Sequence, residues 1–245
     1  MKIISESPVD SVDKPKFRNK DIDVYTIEEV RKLLFHLEKA PIHWNIIIKI
    51  AITMGLRRSE LLGLEFKHFD FDNQLLYVRQ AVTYSKTEGL QVHEIKKGNQ
   101  NHNARKIVVS ESLIEPIKKL QEIRQAEKDI SPNYWNDDHM FLLCDINGKP
   151  YNPSTIKNWW KRFLDRNGLR YIHLHALRHT SATLLINESV HAKIISERLG
   201  HSDIRTTMNV YAHVLRQADE IATKKLDSIM LDNKKEEQIT TKNND

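Results

Sequence analysis

The sequence lacks the features that would place this 245-residue chain in an oxidising compartment or in a membrane. It has one cysteine, Cys144, and so can form neither an internal disulfide nor a cysteine-rich zinc site. No apolar run approaches the roughly 20 residues that a membrane-spanning helix needs, and the N-terminus has no apolar core of signal-peptide length. A single reduced thiol fits the cytoplasm, where we expect the protein to act.

Strong charge of one sign is also missing. The chain carries 38 Lys and Arg against 33 Asp and Glu, a formal net charge of +5. This balance permits a nucleic-acid partner without requiring one. With 40% hydrophobic and 29% charged residues, the composition is typical of a globular protein with a substantial core.

The sequence divides into two polar ends and one body. Residues 1–21 carry two prolines and a cluster of Lys and Arg, which predicts an extended basic interdomain linker. Residues 232–245 lack apolar periodicity and predict a disordered, solvated tail. No repeat or low-complexity segment interrupts residues 22–231, so we predict one domain there.

The body is predicted to be mainly helical with one small antiparallel β-sheet, an α+β fold. Thr26 and Glu29 have the spacing of a helix capping box, and the apolar run WNIIIKIAITM before Gly55 indicates a buried helix. Helical periodicity is interrupted once. The interruption contains three short segments with strand periodicity, at 75–80, 90–95 and 105–109.

Three motifs carry most of the information about function. They are GLRRSEL from Gly55, HALRHT from His175, and LGHS from Leu199, and Tyr211 follows ten residues after His201. One such motif could arise by chance, whereas three in this order and spacing form a specific signal.

On these motifs the chain resembles the tyrosine recombinases, the phage integrase family, over residues 21–230. The resemblance implies an integrase-like catalytic domain that cleaves and rejoins DNA through a covalent 3′-phosphotyrosyl intermediate. It implies no metal and no other cofactor, and a role in integrating or excising a phage or other mobile element. The implied partners are double-stranded DNA attachment sites, further copies of the chain in a homo-tetramer on DNA, and accessory DNA-bending proteins. The implied location is the cytoplasm of a bacterial host.

The residues in the motifs match the needs of metal-free phosphodiester cleavage. That reaction needs a nucleophile, charge stabilisation on the non-bridging oxygens, and a proton for the leaving 5′ oxygen. Arginine suits the second task because its planar fork donates two hydrogen bonds to a phosphate and stays charged. Arg57 and Arg178 are the candidates for this clamp. Tyr211 is the candidate nucleophile, since a phosphotyrosyl ester preserves the bond energy and rejoining then needs no nucleotide.

The resemblance implies roles for three more residues. His175 matches the family's first histidine, which assists proton transfer from the tyrosine, and His201 matches the histidine that donates to a non-bridging oxygen. The family's lysine lies in a β-hairpin and protonates the leaving oxygen. Lys97 matches its Lys-Gly pattern best, and its neighbour Lys96 stays an alternative. The implied catalytic set is Arg57, Lys97, His175, Arg178, His201 and Tyr211.

Other residues are predicted to support this set. Glu60 lies three residues after Arg57 on the same helix face and is expected to hold its guanidinium. His179 and His213 match the LRH and Y-x-H positions, and from both we expect structural hydrogen bonds near the site. Arg58 is expected to be an ordinary surface or structural residue.

The chain departs from the family pattern upstream of the body. Relatives carry a helical DNA-binding domain before the catalytic domain, whereas residues 1–21 offer only a basic linker. The chain therefore resembles a catalytic-domain fragment, or a protein in which half of the DNA clamp is missing. We expect it alone to bind DNA weakly, because affinity falls steeply with each lost phosphate contact.

An apolar stripe at helical spacing follows Tyr211. One interpretation packs this stripe on its own domain; the other, suggested by the resemblance, docks it on a neighbouring copy of the chain. The sequence leaves both open. The members of the stripe are Leu215, Ala218, Ile221, Ala222, Leu226 and Ile229.

Three alternative functions fit parts of the sequence. A type IB topoisomerase-like enzyme would share the chemistry and only relax supercoils. A zinc hydrolase would use His173, His175 and His179, but the HExxH pattern is missing and the two arginines would be idle. A non-catalytic DNA-binding module of the same fold is disfavoured because an inactive relative would be expected to have lost a member of the catalytic set.

Overall fold

In the computed structural model of the chain, the described residues are 23–95, 104–135 and 139–242. The predicted linker, residues 1–21, lies outside them. The helices are α1 (Ile27–Leu37), α2 (Ile42–Met54), α3 (Arg58–Leu62), α4 (Glu111–Ile130), α5 (Pro153–Arg166), α6 (Ala176–Asn187), α7 (Ala192–Leu199) and α8 (Ile204–Lys242). The strands are β1 (Phe69–Asp70), β2 (Leu75–Val78), β3 (Gln80–Ser85), β4 (Gly89–Glu94) and β5 (Arg105–Val108). No helix of the described part is both long and apolar enough to cross a bilayer.

The first two helices have the ends that the sequence predicts. The Thr26 hydroxyl accepts a hydrogen bond from the Glu29 amide at 3.2 Å, and the Glu29 carboxylate accepts one from the Thr26 amide at 2.8 Å. Buried on most sides, α2 ends at Gly55, whose φ is +61°. A Cβ at Gly55 would lie 2.2 Å from Leu199 Cδ2. Glycine is therefore needed for the left-handed turn and for the close approach of α7.

The strands form two antiparallel sheets, where the sequence predicts one. One sheet has the order β1-β2-β5, and the other is the β3-β4 hairpin. The prediction found β2, β4 and β5 and missed the other two strands. It missed β1 because two residues have no periodicity, and β3 because a single residue, Arg79, separates it from β2. The mainly helical fold with small antiparallel sheets is otherwise as predicted.

The core is centred on α2, which contacts α1, α3, α4 and α6. Trp160 of α5 is buried, and its Nε1 donates to the carbonyl of Ile172 at 2.8 Å. This bond anchors the segment that leads to His175. A second, smaller cluster lies where α6, α7 and α8 meet and consists of Ala182, Ile186, Ile195, Leu199 and Val210. Four helix ends thereby surround one region: the starts of α6 and α8 and the ends of α2 and α7.

The last helix continues beyond the predicted domain. Its backbone is helical to Lys242, across most of the 232–245 segment for which the sequence predicts a disordered tail. Lys, Glu and Gln are frequent there and favour helix without an apolar face. Within the apolar stripe, Leu215 and Leu226 are 55% and 61% exposed, so neither packs on its own domain. The side chains of Ala218, Ile221 and Ile229 are outside the described part.

Candidate active site

Arg57 lies at the turn between α2 and α3, two residues after Gly55. Its backbone N–H and its Nη1 donate to the carboxylate of Glu60 at 2.9 and 3.1 Å, so the predicted ion pair is present. Its Nη2 donates to the carbonyl of Gly200 at 3.1 Å. Glu60 is fully buried, whereas the Arg57 side chain is 22% exposed. The guanidinium is thus held on its protein side and keeps a face toward solvent.

A second arginine, Arg105 at the start of β5, shares the Glu60 carboxylate. Its Nη1 and Nη2 donate to the two carboxylate oxygens at 3.1 and 2.9 Å, and its Nε donates to the carbonyl of Arg198 at 2.7 Å. The sequence reasoning missed Arg105, although a signal was available. Arg105 lies two residues before the buried Ile107 and therefore on the same, inward face of the strand. A charge on that face needs a buried partner.

Arg178 is in the first turn of α6 and is 3% exposed. Its Nη1 donates to the carbonyl of Gly55 at 2.6 Å, while its Nη2 is buried and has no hydrogen-bond partner among the described residues. Burial, followed by the charge of Arg57, lowers the pKa of Arg178. A buried guanidinium nitrogen without an acceptor is unfavourable. An anion reaching this nitrogen would remove that cost.

Two predicted histidines meet at the start of α6. His175 occupies the N-cap position of the helix without a side-chain capping bond, and its ring contacts that of His179 edge to face, with 5.2 Å between centroids. Partial burial, followed by His179 and Arg178, lowers the pKa of His175 to about 4. Burial and Arg178 also lower the pKa of His179. Both rings are therefore neutral at pH 7.

His201 follows Gly200 directly and is held by α8. Its Nδ1 lies 2.7 Å from the hydroxyl of Thr207, a fully buried residue that the sequence reasoning missed. Burial, then Arg178 and Arg57, lowers the pKa of His201 to about 3. The contact is compatible with Thr207 donating to Nδ1, which leaves the proton of the neutral ring on Nε2.

Tyr211 lies one helical turn after Thr207 on α8, which packs on α6 and α7. It is half-buried against the cluster that includes Leu199 and Val210. None of its described contacts is with Arg57 or Arg178. The structure therefore brings six predicted residues together and places Tyr211 beside them without joining it to the arginines. The six are Arg57, Glu60, His175, Arg178, His179 and His201. Lys96, Lys97 and the side chain of His213 are outside the described part.

A groove of about 500 Å³ lies against the exposed face of Arg57, with Lys157, His173 and His175 along it. A second groove of about 660 Å³ continues over β3 and shares Arg58, Ser59 and Lys157 with the first. Its other polar lining residues are Thr83, Tyr84, Asn152 and Ser154. Cations with hydroxyl and amide groups along a path suit a phosphate backbone. Arg58, expected to be an ordinary surface residue, lines both grooves.

The described histidines do not assemble a metal site. In the part of the chain that the structure describes, no group of three or more His, Cys, Asp or Glu side chains could hold a metal ion. His173 instead lies 3.2 Å from the hydroxyl of Tyr171, measured from Nδ1. The zinc-hydrolase alternative thus finds no donor set among these residues.

Solved structures with the same fold include two recombinases. The Tn1549 transposon integrase, solved in complex with transposon right end DNA, matches with a TM-score of 0.67 and 23% identity over 91% of this chain and 71% of that chain. The XerA recombinase matches with a TM-score of 0.60 and 19% identity over 80% of this chain and 63% of that chain. At these identities the likeness concerns the fold.

Curated relatives at higher identity cover most of the chain. A tyrosine recombinase XerC-like protein of Caldanaerobacter subterraneus subsp. tengcongensis is 29% identical over 218 residues, 86% of this chain and 55% of that protein. The ICEBs1 integrase of Bacillus subtilis is 24% identical over 229 residues, 93% of this chain and 60% of that protein. The chain spans between half and two thirds of the length of these relatives. The sequence model of the phage integrase family matches residues 24–218, and the chain therefore belongs to that family.

Proposed function

We propose that the chain supplies the catalytic domain of a site-specific DNA recombinase, which cleaves and rejoins DNA at the attachment sites of a phage or other mobile element. The observation that carries the proposal is the arginine pair. Arg57 comes from the turn after α2 and Arg178 from α6, the two meet at that turn, and Nη2 of Arg178 has no acceptor among the described residues. Phosphate oxygens are the acceptors that such a pair suits. Family membership and the basic grooves support the same function.

DNA entry must rearrange the site. The side chain of Arg57 has an exposed face, but Nη2 of Arg178 is out of contact with solvent. A phosphate therefore meets Arg57 first and reaches Arg178 only when the groups that cover it move. In the proposed reaction, the conformation of the free chain, with Nη2 of Arg178 covered, therefore precedes the one that cleaves DNA.

The proposed reaction balances without a metal or a nucleotide. The Tyr211 hydroxyl oxygen attacks phosphorus and its proton passes to His175, which is neutral at pH 7 and can accept it. The bond from phosphorus to the 5′ oxygen breaks, and Lys97 gives that oxygen a proton. A 3′-phosphotyrosyl ester remains, and attack by a 5′ hydroxyl reverses the steps to rejoin the strand.

Charge on the phosphate is stabilised by three groups. Arg57 and Arg178 donate from their guanidinium nitrogens, and His201 donates from Nε2. Because the pKa of His201 is lowered to about 3, the ring donates as a neutral imidazole over the whole physiological range. Donors fixed before the reaction are more effective than donors that reorient during it.

The proposal extends to partners and location. We propose double-stranded attachment sites, a homo-tetramer on DNA and accessory DNA-bending proteins, acting in the cytoplasm of a bacterial host. The exposed Leu215 and Leu226 support contact between α8 and a neighbouring copy. Such contact would also displace α8 and thereby bring Tyr211 toward the arginines. The Leu215→Glu variant should then weaken assembly on DNA, measured by light scattering of the complex, without changing the free chain.

A trapping assay tests the proposed function. The protein is mixed with nicked duplexes from the flanks of its element in EDTA, and denaturing gels detect covalent adducts. We expect an adduct with the wild type and none with Tyr211→Phe. Tyr134→Phe removes the same hydroxyl from an exposed residue away from the site and should leave the adduct unchanged.

The outcomes separate the alternatives. An adduct that persists in Tyr211→Phe would assign the nucleophile elsewhere and overturn the mechanism. DNA binding without any adduct would favour the non-catalytic module. Relaxation of supercoiled plasmid with no exchange of strands between two sites would favour the topoisomerase-like enzyme.

A further inference from the structure

We propose that Arg105 is a positioning residue for DNA cleavage, because it fixes both groups to which the Arg57 guanidinium is bonded. The inference rests on the proposed function. Arg57 donates to the Glu60 carboxylate and to the Gly200 carbonyl. Arg105 lies on a different element, β5, and contacts both of these supports.

The first support is the carboxylate of Glu60. Arg105 holds both of its oxygens through two parallel hydrogen bonds of 3.1 and 2.9 Å, while Arg57 donates to the same oxygens from its backbone and its side chain. The Arg105 side chain is 7% exposed and Glu60 is fully buried. A buried bidentate pair allows little change of angle. The direction in which Glu60 presents its oxygens to Arg57 is therefore set by Arg105.

The second support is the turn that ends α7. Nε of Arg105 donates to the Arg198 carbonyl at 2.7 Å. A Cβ on Gly200 would lie 2.7 Å from Nη1 of Arg105, so the guanidinium packs directly against the Gly200 backbone. The Gly200 carbonyl accepts from Arg57, and His201 is the next residue. Arg105 thus controls the distance between Arg57 and His201.

Arg105 also changes the charge balance of the site. Without it, the Glu60 carboxylate would offset the positive charge of Arg57 alone. With it, and among the described residues, the Glu60 carboxylate is shared by two guanidiniums and Arg178 adds a third cation where the phosphate is proposed to bind. Arg105 is among the cations that lower the pKa of His201.

The variant that tests the proposal is Arg105→Lys, which keeps the charge and removes the fork. At saturating nicked duplex we expect the rate of adduct formation to fall on the order of 100-fold, as for other small displacements of catalytic groups. The Kd for DNA should stay unchanged, because Arg105 is buried and bonded to protein. A rise in Kd together with a loss of rate, or a rate equal to that of the wild type, would overturn the proposal.

Arg124→Lys is the matched control. Arg124 is equally buried, with a side chain 6% exposed, and donates to Glu127 at 2.6 Å and to the Leu142 carbonyl at 3.4 Å, outside the site. The Arg124→Lys variant should lose thermal stability, as we also expect of Arg105→Lys, yet keep the rate of adduct formation per folded molecule. An equal loss of rate in Arg124→Lys would reduce the role of Arg105 to general packing.

Chemical rescue and spectroscopy complete the test. Ethylguanidinium, and not ethylammonium, should restore adduct formation to Arg105→Ala; equal effects of the two would contradict the role of the fork. If the wild type itself forms no adduct, the proposed function fails, and the ¹⁵N side-chain signals of Arg57 decide the inference separately. We expect slow rotation of its guanidinium in the wild type and fast rotation in Arg105→Lys; identical signals would overturn the proposal.

Discussion

Glu60 and Glu65 are two buried glutamates five residues apart whose surroundings differ in charge. Glu65 accepts from Gln80 Nε2 at 2.5 Å and from the Met140 amide at 3.2 Å, and it pairs with the largely exposed Lys67 at 2.9 Å. Its Oε1 also lies 2.9 Å from His139 Nδ1. This carboxylate is thus shared by one cation, Lys67, by two neutral donors and by a histidine.

Around Glu60 the donors are cations. Arg57 and Arg105 share the carboxylate. Burial, and after it the charges of Arg57 and Arg105, lower the pKa of Arg178. Nη2 of Arg178 has no acceptor in the described part. In a balanced network such as that of Glu65, the carboxylate is already paired with donors of the chain. The network holds elements together and needs no additional ligand. Among the described residues, the network around Glu60 has more cations than carboxylates, and a bound anion would offset the cost of burying them. We therefore interpret the Glu65 network as a structural cluster and the Glu60 network as the proposed anion site.

The largest expected effect comes from Arg178→Lys. The ammonium keeps a charge but cannot bond both the Gly55 carbonyl and a phosphate, so we expect adduct formation at saturating DNA to fall on the order of 100-fold or more. Lys67→Met removes a cation from the balanced cluster and should leave the rate unchanged. Single-turnover cleavage measures the rates of both variants. Similar losses of rate in the two would contradict the proposed difference between the Glu60 and Glu65 clusters.

Neutralising each glutamate should produce opposite phenotypes. Glu65→Gln replaces an acceptor for several donors and should lower the free energy of unfolding by about 2 kcal/mol, with the cleavage rate per folded molecule unchanged. Glu60→Gln should instead slow cleavage, because Arg57 loses its support. Urea unfolding and single-turnover cleavage, done on both variants, check this. A Glu65→Gln protein that is stable but slow would contradict the assignment.

The smallest effect concerns pH and belongs to the balanced cluster. His68 Nδ1 accepts from the Glu65 amide at 3.2 Å, which requires a neutral ring, and burial lowers its pKa to about 4. An unfolded histidine titrates near 6.5, so below that pH the unfolded chain takes up a proton that the folded chain refuses. The free energy of unfolding should therefore fall with falling pH, by about 1 kcal/mol for this group at pH 5.5. His68→Gln should flatten that slope in urea titrations; equal slopes would contradict it.

Local signals were sufficient wherever a feature depends on neighbours in the chain. The capping box at Thr26, the buried α2 and the glycine that ends it follow from short-range propensity and periodicity. The three motifs likewise identified Arg57, Arg178 and His201, because their spacing is a property of the sequence. The catalytic roles of all six residues of the implied set, and the supporting roles of Glu60, His179 and His213, stay predictions.

Contacts between distant segments could not be predicted in this way. Arg105 joins Glu60 across 45 residues and the Arg198 carbonyl across 93, and no propensity reports such pairings. The second sheet escaped notice for a related reason, since strand partners are chosen by packing and not by either strand alone.

The sequence by itself determined the class of fold, the positions of most helices and the choice of candidate site residues, since these depend on residue type and short spacing. Only the tertiary structure decided which charges share a partner. Burial makes the position of each charge depend on every acceptor within reach, and those acceptors come from α3 and from the ends of α2 and α7. The surplus of cations at the site is a property of the folded chain.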